Sequence, residues 1–154
     1  MTNLNSLVVG SIMAASFALS MNVNASEQTG VSCSVSVDYL KNGALAESYQ
    51  KAFTVTPGAG FSDDFSTPTR KKLFTASTLL DAGKTVVGIN YFNDVGVFDA
   101  EEFSTKLTLH KAGVLESTSG SHTFSTSSFP PAGGVAVNVS HEINYSLTCK
   151  QLKK

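Results

Sequence analysis

Along the last third of the chain, apolar and polar residues alternate with a period of two. Between Val135 and Cys149, seven of the eight odd-numbered positions are apolar and six of the seven even-numbered ones are polar. That is the pattern of a strand with one buried face. The same alternation recurs from Val31 to Leu40, where Val31, Cys33, Val35 and Val37 face one way and Ser32, Ser34, Ser36 and Asp38 the other. Asn42-Gly43 follows, a dipeptide suited to the two left-handed residues of a tight hairpin, and a second strand is predicted from Leu45 to Val55. Glu47 and Lys51 share the phase of Tyr49, Phe53 and Val55, which predicts that the early half of this strand is an exposed edge.

Residues 56–70 carry Pro57, Gly58, Gly60 and Pro68 and read as one long irregular loop. Strands are predicted at 73–80 and 85–93, turning through Asp81-Ala82-Gly83-Lys84, and at 101–111 after a loop at 94–100. A hairpin of strands 114–118 and 122–126 is expected to turn through Ser119-Gly120-Ser121. The stretch Phe129 to Gly134 holds two prolines and is excluded from a central strand, because each proline lacks a ladder donor. The final strand, 135–149, would extend roughly 50 Å, so a break or bulge is expected at Ser140-His141-Glu142, where the apolar row is interrupted.

Eight strands with no amphipathic helix and no repeat predict an all-β fold. The expected form is a single antiparallel β-sandwich of Ig-like, Greek-key or jelly-roll type. If each strand reverses its predecessor, Cys33 and Cys149 fall at the same end of the domain and both in apolar phases, which is what a disulfide joining the first and last strands requires. Closing a loop of that length stabilises by about 4 to 5 kcal/mol in the chain-entropy model. The same accounting puts loops 56–70 and 94–100 at the disulfide end and the Phe129 loop at the other.

Residues 1–26 contain no Asp, Glu, Lys or Arg, and an apolar run from Leu7 to Leu19 precedes Val23-Asn24-Ala25. This predicts a signal peptide over 1–25 and a mature domain over 26–154, secreted or periplasmic, with no membrane span once the leader is gone. A lone cysteine pair in an exported chain fits a disulfide rather than a zinc site. The net charge of −1 gives no electrostatic case for nucleic acid.

Candidate chemistry is sparse. Phe61 and Phe65 in a polar loop, and Phe129 before two prolines, are candidate contacts for a protein or glycan partner. Asp94, Asp99, Glu101 and Glu102 cluster as weak calcium candidates, with Asp63-Asp64 expected at the same end, although their spacing matches no calcium motif. His141, alone in an apolar row, would be the base of a small hydrolase if a carboxylate met it; a satisfied core histidine or a bulge are the structural alternatives. No catalytic residue and no cofactor is assigned. The expectation is an exported, non-enzymatic binding or envelope module acting through its end loops.

Overall fold

Of the 154 residues, the computed structural model describes 30–94, 100–128 and 134–153, for residues 100, 101 and 128 the backbone alone. They form two antiparallel four-stranded sheets packed face to face. The strands are β1 (Val31–Lys41), β2 (Ala44–Val55), β3 (Phe61–Asp64), β4 (Lys72–Asp81), β5 (Lys84–Asp94), β6 (Ala100–Leu109), β7 (Leu115–Ser128) and β8 (Val137–Gln151). The first sheet has the order β2-β1-β8-β7 and the second β3-β4-β5-β6. Each strand pairs with a neighbour in sequence, and the β1–β8 pair closes the chain on itself. The sandwich therefore contains no Greek-key or jelly-roll crossing among the described strands.

The alternation becomes the core directly. Val31, Cys33, Val35, Val37 and Tyr39 of β1, Ile143, Leu147 and Cys149 of β8, and Phe74, Val87, Ile89, Tyr91 and Leu109 from the second sheet are all buried. Cys33 and Cys149 lie directly opposite each other across β1 and β8 and are bonded, 116 residues apart in sequence. Asn42 and Gly43 have φ of 50° and 76°, the left-handed pair whose twist matches the flanking strands. Ala82 and Gly83 repeat the geometry between β4 and β5.

Three local expectations are corrected. Residues 56–70 are not one loop, because β3 forms within them and pairs with β4 from Phe61↔Ala76 to Asp64↔Leu73. Ser119-Gly120-Ser121 is not a turn. β7 passes through it with unbroken register against β8, so the total of eight strands is kept by one strand gained and two merged. A side chain at Gly120 would place its Cβ 2.6 Å from Tyr145 Oη and 2.9 Å from the ring, so this glycine marks a close approach rather than a reversal. Third, β8 has no bulge at His141. From His141 onward it is paired to both β1 and β7, and a bend there would break two ladders at once; the irregularity lies instead in the β1–β2 pairing at Tyr39/Leu40.

These changes move the loops. The disulfide end carries the Ala82-Gly83 turn and residues 110–114, where Gly113 N–H donates to Gln151 O at 2.8 Å. The opposite end carries Asn42-Gly43, residues 65–71 and Asp94, whose N–H donates to Lys71 O at 2.9 Å. An overlooked strand reverses the direction of every strand after it, and the merged hairpin reverses it back, which is why the two cysteines still meet.

Candidate functional site

His141 is 4% exposed and points into the core. Its Nδ1 lies 2.7 Å from Tyr39 Oη and its Nε2 2.8 Å from Thr126 Oγ1, while its ring stacks on Phe124 at 4.5 Å. Both partners are hydroxyls, so a neutral imidazole, with one N–H to donate and one bare nitrogen to accept, satisfies both. Glu142 faces the other side of the sheet, where the Ser121 hydroxyl donates to it at 3.3 Å. The arrangement is a polar element built into the core: it completes the β1–β8–β7 packing where an apolar residue would otherwise stand.

The aromatic candidates in and just after β3 serve to hold the sheets together. Phe61 stacks on Phe53 at 5.0 Å and Phe65 on Tyr49 at 4.4 Å, so both rings turn inward and close the seam between β2 and the second sheet. The expected exposed edge at Glu47 and Lys51 is likewise corrected. Glu47 accepts from Arg70 and, at 2.7 Å, from Lys72; Lys51 meets Asp63 at 3.0 Å. All three contacts cross from one sheet to the other. Hydrogen bonds from Lys51 and then Tyr49 hold the Asp63 carboxyl below its ordinary range, and burial followed by the bond to Asp63 pushes the Tyr49 hydroxyl upward. Arg70 also donates to Asp94 O at 2.6 Å and to buried Asn93 Oδ1 at 3.2 Å.

Of the calcium candidates, Asp99 and the side chain of Glu101 lie outside the described residues, as does Phe129. The Glu102 carboxylate accepts from Asn90 at 2.6 Å. Among the described residues no three His, Cys, Asp or Glu side chains gather as a metal site would need.

What the sequence did not single out is the outer face of the second sheet. A trough of about 570 Å³ runs across it, lined by Ser62, Thr75, Ser77, Asn90, Ser104 and Lys106, with Gly88 as its floor. Gly88 sits in the middle of β5, paired without irregularity to Ser77 on one side and Lys106 on the other. Its φ is not left-handed, and the nearest atom to an added Cβ is Ser77 Oγ at 3.8 Å. Neither backbone conformation nor packing within the chain requires glycine there, although glycine weakens a strand interior. Its effect is to leave the floor bare between two rows of hydroxyl, amide and amine groups. The signal legible in advance was an isolated glycine within a run, Thr85 to Phe92, whose other residues but Asn90 are β-branched or aromatic.

The first sheet carries smaller depressions, one of about 390 Å³ beside Ser34, Ser36, Gln50, Ala52 and Ser146 and one of about 230 Å³ beside Gly43, Thr123, Ser125, Ser140, His141 and Glu142. No protein-family model matches the chain, and comparison with curated proteins finds no match. Among the described residues no helix is long and apolar enough to cross a membrane. The disulfide is consistent with an extracellular or periplasmic setting.

Proposed function

We propose that the protein is an exported, non-enzymatic binding module, secreted or periplasmic after removal of residues 1–25, and that its contact surface is the trough over Gly88 rather than the end loops. The observation that carries this reading is the bare floor at Gly88, a glycine that the chain itself does not need. The rows that flank it carry donors and acceptors. Asn90 is oriented by its bond to Glu102, Lys106 supplies a cation, and the hydroxyls of Ser62, Thr75, Ser77 and Ser104 can each donate or accept. Phe92, half-buried, lies on the same face beside Leu73. Such a surface suits a glycan segment, whose own hydroxyls need paired donors and acceptors and whose ring faces rest on apolar side chains.

A glycan array probed with the wild-type protein and with Gly88→Val tests it. Binding of a defined set of glycans is expected, with affinity falling by about tenfold or more when the floor is filled. Absence of glycan binding by the wild type, or equal binding by the variant, would overturn the reading.

A further inference from the structure

The four edge strands of the sandwich are protected unequally. β2 carries Glu47 and Lys51, both tied across to the second sheet, and its pairing with β1 is irregular at Tyr39/Leu40. β3 has only four residues. β6 bears Glu102 and Lys106 on its outer face. β7 is the least protected: its one carboxylate, Glu116, stands at its second residue, and its pairing has no irregularity. It is 14 residues long, its register against β8 is unbroken, and it contains no proline, lysine or arginine. Among the described residues its outward backbone groups make no bond to any segment other than β8. A long, regular edge of this kind is a template for another strand.

We infer that this edge pairs with β7 of a second copy of the chain, antiparallel about a two-fold axis through Ser119. The ionisable side chains select that register. Only Glu116 and His122 are ionisable in β7, and they share one face of the strand. With Ser119 opposite itself, Ser117 faces Ser121, Thr118 faces Gly120, Leu115 faces Thr123, and Glu116 of each copy faces His122 of the other. Registers centred on Glu116 or His122 would instead set like groups against each other.

Glu116 is held in place by its own chain. Its carboxylate accepts from His110 N–H at 2.6 Å and Lys111 N–H at 3.2 Å and lies 2.7 Å from His110 Nδ1, which holds it ionised below the ordinary carboxylate range. Small hydroxyl side chains along the strand let the backbones approach without rearrangement. The product is a closed dimer in which two four-stranded sheets become one of eight. It uses a different surface from the trough and stands independently of the glycan reading.

Sedimentation of the purified protein, with Ser119→Lys and three single-cysteine variants, decides the matter. The wild type is expected to sediment at twice the mass of one chain, and Ser119→Lys at the mass of one chain with an unchanged circular dichroism spectrum. Ser119→Cys should link to itself under oxidising conditions, as Cys33 and Cys149 do from opposed positions on neighbouring strands. Ser117→Cys should link only when mixed with Ser121→Cys. The proposal is overturned by a wild type of single-chain mass throughout a dilution series, by a dimer that survives Ser119→Lys, by self-linkage of Ser117→Cys, or by open-ended assemblies.

Discussion

Gly88 and Gly120 both sit inside strands, yet the structure needs only one of them. At Gly120 an added Cβ would collide with Tyr145, whose ring stacks on Phe103 at 4.8 Å and whose hydroxyl donates to Thr105 at 3.3 Å. Tyr145 thus reaches from β8 to β6 across the seam between the sheets, and the missing side chain on β7 is the space it occupies. At Gly88 the corresponding space on the outer face is vacant. The lesson is that a strand glycine takes its meaning from what its absent side chain would have met. When a neighbouring side chain fills the space, the residue belongs to the packing; when nothing does, it is available to a ligand.

The most severe way to break this comparison is to remove the bond beneath it. Replacing Cys33 and Cys149 with serine should cost about 4 kcal/mol, less whatever structure persists in the unfolded chain, and equilibrium urea unfolding measures it. In that weakened background Gly120→Val is expected to be unfolded at 25 °C, while Gly88→Val remains folded.

With the disulfide intact, Gly120→Val should cost about 1 to 3 kcal/mol through overpacking against Tyr145. A double-mutant cycle with Tyr145→Leu should recover part of that loss, because the two residues share the clash; purely additive costs would show that the glycine is needed for another reason. Gly88→Val should act in the opposite direction and raise the unfolding free energy by up to about 1 kcal/mol, since a β-branched residue replaces a flexible one in a central strand. Stability gained together with glycan affinity lost would be the signature of a residue kept for binding.

The smallest effect separates the Tyr145 seam from the charged one. Asp63→Asn should destabilise at neutral pH by up to about 1 kcal/mol, as expected of a partly exposed ion pair. The folded-state pKa of Asp63 is lowered, so its contribution is present above the ordinary carboxylate range and disappears as pH falls through the folded value. The deficit of Asp63→Asn should therefore vanish in acid, whereas that of Gly120→Val, a steric effect, should not change with pH. Urea midpoints for both variants from pH 7 down to the acid transition provide the check.

The period-two alternation by itself determined the β class and the inward faces of β1 and β8; the Asn-Gly dipeptide determined the first turn, and strand direction, with one strand overlooked and one hairpin merged, still brought Cys33 to Cys149. These are properties of neighbouring residues on one strand, or of strand direction, and a linear pattern carries them. Tertiary structure alone decided the rest. Phe61 and Phe65 look like exposed contacts in a polar loop until β3 pairs with β4 and turns their rings onto Phe53 and Tyr49. Glu47 and Lys51 look solvated until Arg70, Lys72 and Asp63 come within reach from the second sheet. His141 looks like a site or a bend until Tyr39, 102 residues away in sequence, and Thr126 satisfy its two nitrogens. Gly120 reads as a turn and Gly88 draws no notice, because what separates them is the atom nearest an absent side chain. For Gly120 that atom lies on the neighbouring strand and is contributed by a residue 25 positions further along the sequence.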